Sequence, residues 1–115
     1  MFFSGDSGYG PHFKEIGERY GSMDVVMMEC GQYDERWAAI HMMPEETIRA
    51  AIDVKGRFVL PIHWGAFSLA MHTWTDPIER AVAEANRLGF PIVTPKIGEP
   101  VIIDQAAMAP NTWWK

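Results

Sequence analysis

The run "FVLPIHWGAF", Phe58 to Phe67, decides how this chain is read. Phe58, Val59, Leu60 and Ile62 are apolar whichever way a strand alternates, so the segment reads as a strand buried on both faces, the kind found in mostly parallel sheets. It then breaks into His63-Trp64-Gly65. Taken alone, an imidazole there reads as a core histidine donating to a backbone carbonyl. Whether it does chemistry depends on what the rest of the chain brings to it.

Upstream, "DVVMMEC", Asp24 to Cys30, is a second continuous apolar run bounded by turn residues, and reads as an interior strand. The opening "MFFSGDSGYG" is a short strand running into a Gly-rich turn. Between these strands, Phe13, Ile16, Gly17 and Tyr20 fall at helical spacing over Pro11 to Tyr20, with Gly21 as the stop. Pro44, Glu45 and Glu46 open a second helix, since proline suits the first turn and carboxylates complement its dipole. Its expected buried stripe is Thr47, Ile48, Ala51 and Ile52, and Gly56 closes it.

After the Phe58 strand and the loop "WGAFSLAMHTW", Asp76 is expected as N-cap of a third helix with Pro77 and a capping-box acid, Glu79. Ile78, Ala81, Val82, Ala85 and Leu88 share one face of that helix. "FPIVTP" and "EPVIID" read as two short strands, placed at a sheet edge by their bracketing prolines. The tail "QAAMAPNTWWK" has no period, so Trp113 and Trp114 either dock on the body or mark a contact surface. The alternation predicts an α/β fold.

Composition narrows the classes. At 115 residues, 48% hydrophobic and 22% charged, the chain is one domain or part of one that can bury a core, and disorder is excluded. Net charge is −5 and no dense Lys/Arg block exists, which argues against nucleic acid. Apolar runs are strand-length, far short of the roughly 20 residues of a membrane span, and the expected location is cytoplasmic. The single Cys30, in an apolar run, reads as a buried reduced thiol.

Ligands of such sheets collect at the carboxyl ends of the strands. Each loop leaving such an end carries a candidate: Asp6 after the first strand, Tyr33 and His41 after the second, His63 after the third. Singly, Asp6 is a turn former and His41 a surface or capping residue. Together, "FFSGDSGYGPHFKEIGERYG", "ECGQYDERW", "IHMMPEE" and "LPIHWGAF" resemble the C-terminal part of the metallo-β-lactamase-fold hydrolases. The branch is that of N-acyl-phosphatidylethanolamine-hydrolysing phospholipase D and the UlaG-like and RomA-like proteins. The likeness covers about the first three-quarters of the chain.

The resemblance implies an αββα sandwich of which this chain would form the C-terminal half, one mixed sheet flanked by helices. It implies a two-metal hydrolase, with zinc as the expected metal, acting on a phosphodiester or another small-molecule or lipid ester. Asp6 would be the carboxylate bridging the metals and His63 an imidazole ligand to the second, while His41 would hold a phosphate-like oxygen or move a proton. A carboxylate can span two cations about 3.5–4 Å apart, and neutral imidazole suits zinc. Tyr33, Trp37 and Trp64 would line the substrate pocket. His12 and His72 match no motif and are expected at the surface.

The family's His-x-His-x-Asp-His turn is not in this sequence. The expectation is therefore a portion of a longer enzyme, binding metal weakly or not at all by itself. It would pair with a missing N-terminal half or self-associate through an uncovered sheet face. A non-catalytic truncated module or assembly subunit is the alternative reading, and an unrelated α/β binding domain, with Asp6 and His63 far apart, is a third.

Overall fold

The computed structural model describes residues 1–65, 70–103 and 111–115. In chain order the elements are β1 (Phe2–Phe3), α1 (His12–Tyr20), β2 (Val26–Glu29), α2 (Pro44–Asp53), β3 (Val59–Ile62) and α3 (Asp76–Leu88), with a short 3-10 turn at Glu35–Trp37. The strands form a sheet ordered β1-β2-β3, so the Asp24–Cys30 run does supply the interior strand. Phe2 pairs with Val26 and Val26 with Val59, and both ladders are parallel.

The sheet is therefore not mixed among the described residues. Each strand is followed by a helix that carries the chain back, which enforces parallel order. The two expected C-terminal strands shrink as well: Ile92 makes one parallel bridge to Val59, and Val101–Ile103 form no strand. Val59 donates to the Pro91 carbonyl and Val93 to Val59. Pro91 and Pro95 bring no N–H of their own, so the ladder stops there. Asp104, with most of the tail, lies outside the described residues.

One core holds the layers together. Val26, Met28 and Val59 of the sheet are buried against Phe13 of α1, Ile48, Ala50 and Ala51 of α2, and Ala81 and Ala85 of α3. On the other face Phe3, Met27 and Leu60 fall in one register row; Phe3 is 62% exposed and the other two are half-buried. Val25, Phe58 and Val93 form a small cluster with Leu60 and Val101.

Several boundaries differ from the sequence reading. α1 begins at His12 with Pro11 as N-cap. α3 has Thr75 as N-cap without a side-chain bond, and Asp76 instead sits 3.6 Å from Arg80 one turn on. A competing cation has taken the carboxylate that a cap would use. The reciprocal acid appears on α2, where Met43 N–H donates to Glu46 at 2.9 Å. Arg80 also donates to both oxygens of Glu45, which fastens α3 to the first turn of α2.

The α2 stripe is displaced too. Thr47, Ile48 and Ala51 are buried with Ala50, whereas Ile52 is exposed. α2 lies between α1, α3 and the sheet, so its covered arc is wider than the periodic stripe and centred away from Ile52. Ile48→Ala is expected to cost about 2–5 kcal/mol and Ile52→Ala less than about 1 kcal/mol, read by urea denaturation. Equal costs would contradict this placement of α2.

Candidate metal centre

Parallel order puts the ends of β1, β2 and β3 along one edge, and each end delivers a polar side chain there. Asp6 follows β1 by three residues, through Gly5 at φ +59°. His63 is the first residue after β3. His41 closes the loop from β2 and precedes α2, and Glu29 is the last residue of β2 itself.

Two glycines let these loops touch backbone to backbone. A Cβ at Gly31 would fall 1.4 Å from the His63 carbonyl oxygen, and one at Gly8 would fall 2.1 Å from that of Ala38. Gly8 N–H donates to Ala39 at 3.2 Å, which draws the Asp6 turn onto the segment leading to His41. Ser4 Oγ accepts from Glu29 N–H at 3.0 Å and holds the β1 end to β2. Any side chain at Gly8 or Gly31 would push two of the three loops apart.

The resulting cluster is tight. Asp6 Oδ1 lies 2.9 Å from His63 Nδ1, and the His41 and His63 rings meet edge to face at 5.3 Å. One ligand atom from each of Asp6, His41 and His63 lies within 4.8 Å of the others. A carboxylate with two imidazoles is a donor set of the kind zinc accepts. The separations fit a shared cation, so the unrelated binding domain with Asp6 and His63 far apart is not what the chain forms.

His63 is no core histidine. Its side chain is 34% exposed and its backbone sits at φ +66°. A non-glycine residue in that region is strained, and such strain persists only where the surroundings fix the conformation, commonly at functional sites. Asp6 is the most open of the three, at 61%, and His41 the most enclosed, at 10%.

Behind His41 lies Glu29, a residue outside the site expected from the sequence. Glu29 is fully buried; one carboxyl oxygen accepts the Met42 N–H at 2.5 Å, and Oε2 lies 3.5 Å from His41 Nδ1. Burial, helped by the nearby Asp6 and Glu46 carboxylates and opposed by the Met42 bond, pushes the Glu29 carboxyl up to about 8. Burial likewise holds His41 below the ordinary imidazole range. The signal was present in the sequence as an acid closing the apolar run "DVVMMEC".

The expected pocket-lining aromatics diverge. Trp37 is half-buried and stands edge-on to His41 at 6.2 Å. Trp64 donates its indole N–H to Pro61 and packs against Trp113 and Trp114, so the tail docks on the body there. Tyr33 is buried beneath Arg80 and stacks on His72 at 4.1 Å, beside a separate cavity of about 380 Å³ bordered by Asp34 and Met43. His72 is a half-buried surface residue, with Tyr33 covering one face of its ring. His12 is exposed, and Cys30 is buried, which pushes its thiol up. Among the described residues no helix is long and apolar enough to cross a membrane.

Comparison with known proteins gives consistent results. A family described as "Beta-lactamase superfamily domain" matches residues 1–64. The outer membrane protein RomA of Klebsiella pneumoniae is 58% identical over 65 residues, 56% of this chain and 49% of that protein. The mitochondrial N-acyl-phosphatidylethanolamine-hydrolyzing phospholipase D of Saccharomyces cerevisiae is 34% identical over 94 residues, 78% of this chain and 20% of the relative. A metal-dependent hydrolase of Methanocaldococcus jannaschii is 28% identical over 105 residues, 88% of this chain and 42% of the relative. The chain thus spans between 20% and 49% of the length of these relatives.

The Glu29 environment makes stability depend on pH. An unfolded carboxyl ionises near 4.5, whereas Glu29 in the fold does so near 8. Between those values the folded chain retains a proton that the unfolded chain has released, so this contribution is complete below pH 4.5 and is lost as pH rises through about 8. The melting temperature is expected to fall over that interval and to lose the slope in Glu29→Gln. A slope unchanged by that substitution would assign it to other groups.

Proposed function

The chain belongs to the beta-lactamase superfamily, and from that premise we propose that it carries part of the active site of a metal-dependent hydrolase that cleaves a phosphodiester or related ester. The observation that carries this reading is the convergence of Asp6, His41 and His63 from three separate loops, with Asp6 and His63 in contact at 2.9 Å. Asp6 and His63 are the residues that would hold the metal, with zinc the first choice on donor type. A catalytic zinc takes three protein ligands, so further donors would come from beyond these two. A divalent cation bound there supplies a Lewis acid that polarises a phosphoryl or carbonyl oxygen.

The remaining work falls to the chain's own side chains. His41 is set back from the open pair, neutral at physiological pH because burial disfavours its charge, and able to hydrogen-bond an ester oxygen through Nε2. Trp37, edge-on to His41, would limit access of water to that side. Which ester is cleaved is a matter of family branch; the relative named for N-acyl-phosphatidylethanolamine hydrolysis makes a phospholipid headgroup ester the first substrate to try.

Equilibrium dialysis against zinc tests the assignment. The chain by itself is expected to bind weakly, with Asp6→Ala and His63→Ala each lowering affinity by more than about tenfold and His41→Ala lowering it less. Uptake indifferent to both Asp6 and His63 would overturn it.

A second reading has its own support. The row Phe3, Met27 and Leu60 leaves one face of a parallel sheet partly open, and parallel sheets are ordinarily covered on both faces. A module that self-associates through this face without catalysis would satisfy it. Light scattering decides: Phe3→Glu should dissociate such an assembly, while a wild-type chain that stays monomeric at high concentration removes this reading.

A further inference from the structure

Two buried polar atoms face each other behind the metal centre and have no other partner. Glu29 Oε2 and His41 Nδ1 are both shielded from solvent, both without a hydrogen bond, and 3.5 Å apart. A buried polar atom left unpaired is destabilising, so two such atoms in mutual reach are expected to share a proton. Catalytic hydrogen bonds are commonly long in ligand-free proteins and close up later. The carboxyl is itself fixed, because its other oxygen holds Met42 N–H and its backbone N–H is held by Ser4.

We propose that Glu29 is the positioning residue for His41: it engages Nδ1, holds the ring in one orientation and one tautomer, and leaves Nε2 as the single nitrogen that can serve the cleft. Deepening the hydrolase reading, this assigns His41 a role at an oxygen of the substrate rather than as a freely rotating ligand. The geometry is economical. The Met42 amide that Glu29 holds immediately follows His41 in the chain, so one carboxyl fixes both the backbone and the ring. Trp37 on the far side of the ring and His63 against its edge complete the cage. The raised carboxyl described above supports a proton residing between the two groups at neutral pH.

Long-range ¹H–¹⁵N correlation spectra of the histidine side chains test this on the chain without metal or substrate, so the result is independent of whether the hydrolase reading stands. Wild type is expected to show one His41 tautomer, with its two ring nitrogens at separate, unaveraged shifts. Glu29→Gln should preserve that pattern, since the amide can accept from Met42 and donate to Nδ1. Glu29→Asp, one methylene too short to reach both, should give averaged shifts with the fold retained in the backbone amide spectrum. Averaged His41 shifts in wild type, or a single unshifted tautomer in Glu29→Asp, would overturn the proposal. Should Glu29→Asp fail to fold, averaged shifts in Glu29→Gln would do the same.

Discussion

The close approach of the loops at the carboxyl edge is the constraint on which the rest depends. Backbone meets backbone at Gly8 against Ala38–Ala39 and at Gly31 against His63–Trp64, at separations that no side chain could occupy. Because the strands are parallel and adjacent, their ends already lie side by side. The two glycines convert that adjacency into contact, bringing a carboxylate and two imidazoles from positions 6, 41 and 63 within 4.8 Å of one another. The left-handed backbone at His63 is the local cost of aiming its ring at Asp6.

The site is layered by exposure. Asp6 and His63 face outward, His41 is enclosed behind them, and Glu29 is sealed behind His41. Moving inward, solvation falls and the energetic demand for a specific partner rises. That gradient separates two kinds of chemistry: groups that can meet a cation at the surface, and groups whose proton is governed by burial. The helices contribute from the other side of the sheet edge, since α2 begins at Pro44, three residues after His41, and is pinned by Glu46 and by the Arg80 clasp on Glu45.

The aromatic residues show how a shared composition serves different ends. Trp37 stands at the site, Trp64 builds a cluster with the C-terminal tryptophans, and Tyr33 packs under Arg80 against His72. All three are near the same loops in sequence. Their directions were set by which neighbours could cover a large ring, not by proximity to Asp6, His41 and His63.

By itself the sequence determined the α/β alternation, the interior position of β2, the three helices to within a few residues, and the placing of Asp6, His41 and His63 in loops that leave the strand ends. Those features follow from local periodicity, turn chemistry and motif spacing, which act over a few residues. Only the tertiary structure decided that the sheet is parallel throughout its described strands, that Ile52 faces outward, that Asp76 answers Arg80 and leaves the cap unmade, and that Glu29 backs His41. The reason is physical. Burial and pairing depend on which surfaces meet, and residues 29, 41 and 63 meet only once β2 and β3 lie side by side.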